Sequence, residues 1–308
     1  MTTSLTPPTI SIITPSYNQG EFIGETIASV LSQEGDFFLD YIIMDGGSSD
    51  NSVAIIKKYD RLLREKKRTI GCRGITYRWT SEKDKGQADA INKGFAMAKG
   101  NILGWLNSDD TYLPGALAKV DQYFRTHPEN IMVYGNAFYT DRSGVVTSSY
   151  PSEPFSLERL AETCFICQPS AFLRTEVLPE VGQLDVNLQA SMDYDLWIRI
   201  GKRFAARIAF INDYLATSRM YPGNKTRSIL GRVLNENLRI MQKHFGYIEG
   251  SHIASCFYDI YKNPDKLPLY DNFKKLLHRL YVIRYLVQGK TLISTLKYLA
   301  ASMREHLG

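Results

Sequence analysis

The chain has few cysteines and histidines and no long apolar run. Its 308 residues include four Cys and five His. Cys164 and Cys167 form an isolated C-x-x-C pair with no second Cys or His pair nearby. This spacing favours buried, reduced thiols over a zinc site or a redox centre. Because no stretch of about 18 apolar residues occurs, we predict no membrane-spanning helix.

The amino-terminal stretch also lacks the features of a secretory signal. It reads MTTSLTPPTISIITPSYNQG, without a basic start followed by a long apolar segment. A signal peptide needs both. We therefore expect a cytoplasmic protein.

Charge and composition set further limits. The formal net charge is +5, which is too small to indicate a nucleic-acid partner, and we expect none. Hydrophobic residues make up 44% of the chain and charged residues 22%, as in an ordinary globular protein. A length of 308 residues predicts one large domain or a domain with an appendage.

The first third of the chain alternates between strand and helix patterns. Residues 9–15, TISIITP, form a short β-branched run that predicts a buried strand, and GEFIGETIASVLSQ has helical spacing. A second strand is predicted at Tyr41–Met44, and Asp50 is placed as the N-cap of the helix that follows it. The alternation continues with ITYRWTS, QADAINKGFAMAKG and NILGWL. It predicts an α/β fold with a largely parallel sheet flanked by helices.

The pattern changes after about Gly115. A helix, ALAKVDQYFRTHPE, precedes an antiparallel hairpin made of IMVYGNAFYTD and GVVTSSY, and DYDLWIRIGKRF begins another helix. From Thr226 onward the chain has helical patterns. We therefore predict an α/β domain at 1–225, divided at about residue 112 where the pattern changes, and a helical extension at 226–308.

Polar loops follow all four predicted strands. They are TPSYN, DGGSSD, SEKDKGQ and NSDD. Ligands of open α/β sheets bind beyond the carboxyl ends of the strands, so the four loops predict a single site. For NSDD two alternatives remain open. The acidic pair Asp109 and Asp110 either caps a helix that begins near Pro114 or binds a divalent cation.

With SIITPSYNQGEF, DYIIMDGGSSDNS and GWLNSDD, the sequence resembles the family-2 glycosyltransferases of the GT-A fold over roughly residues 10–226. The resemblance implies a Rossmann-like mixed, mostly parallel sheet, and a catalytic domain at 1–225 with a donor half at about 1–112 and an acceptor half at about 113–225. It also implies transfer of a sugar from a nucleoside diphosphate donor, with UDP favoured, to a glycan or lipid-linked acceptor. The anomeric carbon would be inverted.

The loops supply candidate groups for the donor. Tyr17 offers a stacking face for the base, and Asp45 offers an acceptor for the edge of the base. By resemblance, Thr14 joins Tyr17 and Asp45 in binding the nucleotide. Asp84 and Lys85 are weaker candidates for placing the donor, because charged loop residues are usually only solvated.

The resemblance also implies a metal-assisted reaction. Asp110 would bind Mn²⁺ or Mg²⁺, and Asp109 would assist it or contact the ribose. Related sequences often read R-x-H where this chain has Arg219-Met220-Tyr221. Tyrosine is a poor magnesium ligand because its phenol stays protonated at neutral pH. Arg219 and Lys225 are predicted to close on the diphosphate.

Transfer also needs a base that takes the proton of the acceptor hydroxyl. The family commonly has Glu-Asp where this chain has Met192-Asp193, so Asp193 is predicted to be the base. Asp195 is assigned to the acceptor side, with a structural carboxylate or a helix N-cap as the alternatives. Gln168, in QPSAF, is predicted to contact the sugar or the acceptor.

The final segment is basic. Residues 274–308 contain seven Lys or Arg and one Glu, with apolar residues at helical spacing. Such a helix suits the inner face of an anionic membrane. Packing on the catalytic domain, or on a second subunit of a homodimer, is the alternative.

Two other functions remain open at this stage. A sugar-nucleotide pyrophosphorylase-like nucleotidyltransferase shares the fold type, but its first loop is usually rich in glycine with an arginine, unlike TPSYNQGEF. A non-catalytic domain that binds a nucleotide sugar is the second alternative. The departures at Met192 and Tyr221 keep it open.

Overall fold

The computed structural model of this chain describes residues 7–225, 229–249 and 251–252. Its strands are β1 (Thr9–Ser16), β2 (Glu34–Asp45), β3 (Gly71–Ser81), β4 (Ile102–Trp105), β5 (Thr111–Tyr112), β6 (Met132–Thr140), β7 (Val146–Ser149), β8 (Ala171–Arg174) and β9 (Ile208–Arg219). Its α-helices are α1 (Ile23–Leu31), α2 (Ser52–Arg64), α3 (Gln87–Met97), α4 (Ala116–Thr126), α5 (Leu157–Glu162), α6 (Val177–Val181), α7 (Met192–Phe204) and α8 (Leu230–Phe245).

The nine strands form one mixed sheet. Their order is β3-β2-β1-β4-β8-β6-β9-β5, and β7 pairs with β6. The first four strands in this order are parallel. Strand β8 lies antiparallel between β4 and β6, β9 runs parallel to β6, and β5 pairs antiparallel with β9. The predicted α/β class, with a mixed sheet flanked by helices, is confirmed.

The apolar runs explain this arrangement. Seven of the eight residues of β1 are buried, as expected for a parallel strand that is covered on both faces. Helix α1 buries Ile23, Ile27 and Val30 in the same core. Helix α4 adds Leu117 from the other part of the chain. The sheet core therefore holds the strand ends, and the loops that follow them, in fixed positions.

Strand register brings the predicted loops to one edge. Ser16 of β1 pairs with Asp45 of β2, and Asp45 pairs with Ser81 of β3. On the other side of β1, Ile13 pairs with Trp105, the last residue of β4. The carboxyl ends of the four parallel strands therefore lie side by side, and the predicted convergence of their loops is confirmed.

Two local predictions were wrong. The N-cap of α2 is Asn51, and the helix begins at Ser52. The carboxylate of Asp50 instead accepts hydrogen bonds from the backbone N–H groups of Ser52 and Gly20, which joins two loops. Strand β2 also begins at Glu34, well before the predicted Tyr41, because its first residues pair with β3 through an irregular register.

The chain divides into two compact units. One comprises residues 1–155 and 165–227, and the other comprises 156–164 and 228–308. Within the second, the Ser251 hydroxyl donates to the Glu162 carbonyl (2.7 Å), and the His252 ring lies 3.0 Å from the Ala161 carbonyl.

The domain boundaries at 112 and 225 stay predictions. The basic segment 274–308 lies outside the described residues. Among the described helices, none is long and apolar enough to cross a membrane.

Truncation of a buried tryptophan is expected to weaken the fold markedly. The Trp197 ring of α7 is fully buried and stacks on Trp105 with 5.4 Å between ring centroids. Trp197→Ala should lower the free energy of unfolding by about 3–5 kcal/mol, because it removes the stacked ring and leaves a cavity. Urea denaturation followed by circular dichroism measures this change. Trp197→Phe should lose less, and equal losses from both variants would contradict a packing role.

Candidate active site

The acidic pair lies in the loop between β4 and β5. Strand pairing of Thr111 with Thr217 sets the carboxyl end of β9 beside this loop. The Arg219 backbone N–H donates to Asp110 Oδ1 (2.9 Å), and Asn107 Nδ2 donates to Asp110 Oδ2 (3.2 Å). Helix α4 begins only at Ala116 and has no side-chain cap. The helix-cap interpretation of the pair is therefore wrong.

Asp109 stands on the more open side of the pair. Its side chain is only partly buried, whereas Asp110 is buried. The Tyr221 hydroxyl lies 3.2 Å from Asp109 Oδ2 and donates to it. Burial, reinforced by the charge of Asp109, raises the pKa of Tyr221 to about 12. The phenol therefore stays neutral, and Tyr221 acts as a hydrogen-bond donor to Asp109.

Two neighbouring carboxylates in a desolvated loop are costly to ionise. Burial raises the pKa of Asp110 well above its usual range, and the adjacent Asp109 raises it further. Burial also raises the pKa of Asp109. A divalent cation would offset both penalties, and hard cations such as Mg²⁺ and Mn²⁺ prefer carboxylate oxygens. The oxygen donors of the loop therefore fit such an ion.

A chain of amide side chains joins the pair to other loops. Gln87 Nε2 donates to Asn107 Oδ1 (2.7 Å), and Asn107 Nδ2 donates to Gln168 Oε1 (3.1 Å). Gln168 Nε2 in turn donates to the Trp105 carbonyl (2.7 Å). Lys225 Nζ donates to Gln87 Oε1 (2.7 Å). The network brings the predicted residues Gln168 and Lys225 to the acidic pair.

Asp45 organises the loop after β2. It is 2% exposed and accepts hydrogen bonds from the backbone N–H groups of Gly47 and Ser48 and from the hydroxyls of Ser48 and Ser81. Tyr17, in the loop after β1, is 63% exposed and so leaves a ring face open for stacking. The geometry therefore keeps Tyr17 available and uses Asp45 first to shape the loop.

Asp84 belongs to the same edge. It lines a narrow cleft there together with Met44, Asp45, Thr80, Glu82, Ala90 and Lys93. A Cβ atom at Gly46 would meet Asp84 Oδ2 at 2.7 Å, which is too close for a side chain. Gly46 thus lets the loop after β3 approach the loop after β2.

Asp193 extends from the first turn of α7 and is partly buried. Its Oδ1 accepts the backbone N–H of Tyr194 (2.8 Å). Residues four apart lie on one face of a helix, so Asp193 shares its face with Trp197. Trp197 stacks on Trp105, at the end of β4 and just before the acidic loop. This packing directs the face that carries Asp193 toward the carboxyl edge of the sheet.

Comparison with known proteins shows the family to which this chain belongs. The profile described as Glycosyl transferase family 2 matches residues 11–182, more than half of the chain. The chain belongs to this family. Membership of this family favours sugar transfer over the nucleotidyltransferase and over a binding module without activity.

Several curated proteins are similar to this chain over part of their length. An uncharacterised glycosyltransferase of Methanocaldococcus jannaschii is 25% identical over 62% of this chain and 64% of its own length. This chain therefore spans less than two thirds of that relative. The O-antigen biosynthesis protein RfbC of Myxococcus xanthus is 32% identical over 63% of this chain and 14% of its own. A PGL/p-HBAD biosynthesis glycosyltransferase of Mycobacterium bovis is 29% identical over 62% of this chain and 69% of its own length.

Solved structures share the fold of the glycosyltransferase. S. aureus TarS 1–349 matches with a TM-score of 0.59 and 15% identity over 91% of this chain and 80% of that one. The mannosyltransferase PcManGT from Pyrobaculum calidifontis, in complex with GDP-Man and Mn²⁺, matches with a TM-score of 0.56 and 14% identity. The match covers 98% of this chain and 87% of PcManGT. The expected GT-A fold is thereby confirmed.

Arg219 holds the loop that contains Asp109 and Asp110 in place. The side chain is 3% exposed, and Nε donates to the Asp109 carbonyl (2.9 Å). The two terminal nitrogens donate to the Arg142 carbonyl and the Glu25 carboxylate. Because the guanidinium is held inside the protein by these partners, the structure does not support its predicted closure on the diphosphate.

Asp195 also has an internal role. It is 1% exposed and forms an ion pair with Arg199, with 2.8 Å between Oδ2 and Nε. Arg199 donates further to the carbonyls of Gly182 and Gln183. The N-cap of α7 is Ser191. Of the three alternatives, the structure therefore favours the structural carboxylate over the acceptor-side contact.

Thr14 and Lys85 gain no clear binding role from their positions. Thr14 is fully buried, and its hydroxyl lies 3.1 Å from the Tyr41 hydroxyl in the core. Lys85 is exposed, and its backbone N–H donates to Asp89 (3.0 Å). Gln87 and Asn107 were not predicted, although Asn107 stands within the NSDD motif directly after a buried strand. That position was the available signal.

Proposed function

We propose that this glycosyltransferase moves a sugar from a UDP-sugar to a hydroxyl of a glycan or lipid-linked acceptor, with inversion of the anomeric carbon. The observation that carries the proposal is the acidic pair, joined by hydrogen bonds to three other segments at the carboxyl edge of the sheet. Complexes of TarS with UDP-GlcNAc and of PcManGT with GDP-Man support a nucleotide-sugar donor. An O-antigen biosynthesis relative supports a cell-envelope glycan as acceptor.

Donor binding is assigned to the loops after β1, β2 and β3. Tyr17 stacks on the base, since its ring is exposed, and Asp45 accepts from the base edge while holding its own loop. Asp84, in the adjoining cleft, contributes to the position of the donor. Lys225, tied to Gln87 beside the acidic loop, supplies positive charge near the diphosphate.

Asp109 and Asp110 would hold Mn²⁺ or Mg²⁺. In the described part of the chain, no group of three or more His, Cys, Asp or Glu gathers for a metal, so the protein supplies these two carboxylates. Asp109 is the more accessible of the two, and Asp110 is held behind it by Arg219 and Asn107. When bound, the cation would neutralise charge on the diphosphate, in keeping with the Mn²⁺ in the PcManGT complex.

Asp193 is the proposed base. It takes the proton from the acceptor hydroxyl as that oxygen attacks the anomeric carbon. The bond from that carbon to the diphosphate oxygen breaks on the opposite side, which inverts the configuration. Gln168, fixed between Asn107 and the Trp105 carbonyl, is assigned to contact the sugar or the acceptor.

A lipid-linked acceptor would place the reaction at the cytoplasmic surface of a membrane. The predicted membrane contact through residues 274–308 and the predicted homodimer stay predictions, because that segment lies outside the described residues.

A thermal-shift panel tests the donor. UDP and UDP-sugars with Mn²⁺ should raise the melting temperature, because a ligand at 100 times its Kd stabilises the folded state by about 2.7 kcal/mol. UMP should have little effect, since it lacks the diphosphate whose charge the cation would neutralise, and EDTA should reduce the UDP shift. A larger shift with GDP would correct the base. No shift with any nucleotide would contradict the proposal.

A further inference from the structure

Positive charge is concentrated in one segment of the chain. Residues 51–73 contain eight Lys or Arg and two Asp or Glu, a net charge of +6, whereas the whole chain carries +5. The remaining residues together therefore carry a net charge of −1. A charge asymmetry of this kind marks a surface that attracts an anionic partner.

Helix α2 and the turn after it display these cations on one side. The inner side of the helix packs on the sheet core through Ile56, with Ile55, Tyr59 and Leu63 partly buried beside it. The exposed cations are Lys57, Lys58, Arg61, Arg64, Lys66 and Lys67, which we call the basic face.

Most of this charge is not neutralised nearby. Arg64 pairs with Asp60, and Lys67 pairs with Glu65. Lys58, Arg61 and Lys66 have no ion-pair partner among the residues that the structure describes. At least three cations of the basic face are therefore available to an external anion.

The basic face is also firmly mounted. Strand β3 is the end strand of the sheet, and α2 is tied to it by a hydrogen bond from Trp79 Nε1 to Asp60 Oδ2 (3.1 Å). The Tyr77 hydroxyl donates to the Ile56 carbonyl (3.3 Å). A fixed array of cations can meet an extended anionic surface without a large ordering cost.

We propose that the basic face docks this protein on an anionic phospholipid bilayer. Cationic side chains near such a surface each strengthen binding by roughly fivefold, and the effect is screened by salt.

Nucleic acid is the less suitable partner. Single strands bind where aromatic rings offer stacking platforms within a basic groove. The aromatic rings of this region lie beneath cations instead: Trp79 under Lys57 and Tyr59 under Arg68. None of the rings in residues 51–73 is among the exposed large hydrophobic side chains of the described chain.

The location suits the proposed reaction without depending on it. Helix α2 starts at Ser52, directly after the loop that follows Asp45 at the end of β2, so its first turn lies at the carboxyl edge of the sheet. A bilayer lying along α2 would bring lipid-borne hydroxyls to the same end of the protein as the candidate active site.

Sedimentation of the full chain with lipid vesicles tests the proposal. Binding to phosphatidylcholine vesicles that contain phosphatidylglycerol should exceed binding to pure phosphatidylcholine and should fall as salt is raised. The triple variant Lys58→Glu, Arg61→Glu, Lys66→Glu should bind the anionic vesicles on the order of 100-fold more weakly. The matched control Lys202→Glu, Arg232→Glu, Arg239→Glu makes the same change in net charge elsewhere and should bind like wild type.

Further arms separate the other interpretations. A variant with Lys274→Gln, Lys275→Gln and Arg279→Gln tests the tail on its own. Unchanged UDP-dependent melting of each variant would show that fold and donor site survive, so that failure to bind lipid is independent of the proposed activity. The proposal is overturned if wild type ignores anionic vesicles, if only the tail variant loses binding, or if both triple Glu variants lose it equally. Tighter binding to a single-stranded oligonucleotide than to vesicles would assign the face to nucleic acid instead.

Discussion

Replacing Asp193 by asparagine is expected to slow sugar transfer by a factor of about 10²–10⁴, the usual contribution of a positioned general base. Asparagine keeps the shape of the side chain but cannot take the acceptor proton. Donor binding should be unchanged, because the loops assigned to the nucleotide follow β1, β2 and β3, whereas Asp193 lies on α7. Steady-state kcat with a UDP-sugar and the UDP-dependent rise in melting temperature measure the two effects separately.

Asp195 provides the contrast for this experiment. It lies two residues away but is buried in an ion pair with Arg199, and breaking such a pair typically costs about 3–5 kcal/mol. Asp195→Asn should therefore lower the melting temperature, whereas Asp193→Asn should not. Wild-type turnover in Asp193→Asn would exclude this carboxylate as the base. A matched loss of stability in both variants would assign Asp193 to the fold.

Asp109→Asn is expected to lower kcat/KM by a factor on the order of 10²–10³, because it would weaken binding of the proposed cation. A bound cation stabilises the charge of such a transition state by several kcal/mol. Mn²⁺ should also bind more weakly in the presence of UDP, which can be followed by the paramagnetic resonance of free Mn²⁺. Asp213→Asn is the matched control, because Asp213 is exposed and pairs with Lys119 at the surface. It should retain wild-type kinetics.

The same substitution is expected to leave the metal-free protein at least as stable as wild type. Burial raises the pKa values of Asp109 and Asp110, so their ionised forms cost folding stability at neutral pH. Removing one of the two charges relieves part of that cost. A variant that is both inactive and clearly destabilised would indicate that Asp109 supports the loop, and full metal-dependent activity would remove it from the site.

The sheet could be predicted because parallel strands buried on both faces have continuous apolar sequences. The segments TISIITP and NILGWL became β1 and β4, and the polar residues after them reached the predicted edge. The acidic pair was also predictable, since carboxylates directly after a buried strand are unusual. The exact limits of β2 were not, because its first residues depend on an irregular pairing with β3.

The hydrogen-bond partners of individual side chains could not be predicted from the sequence. Arg219 reaches Asp109 and Glu25 only through the pairing of β9 with β5, which joins residues more than a hundred positions apart. Thr14 could be predicted at a strand end, but not its contact with Tyr41 inside the core. Gln87 and Asn107 are ordinary amides in the sequence, and their importance appears only once three loops meet.

Tyr221 has a consequence for how strongly the proposed cation and donor depend on each other for binding. Its neutral hydroxyl occupies one side of Asp109, where an imidazole would offer a lone pair to a metal. Two carboxylates would supply only part of the ligands of a divalent cation, so a cation held by Asp109 and Asp110 would depend on the donor for further oxygen ligands. The proposed cation and donor would then share a coupling free energy. Each would raise the affinity of the other by the same factor.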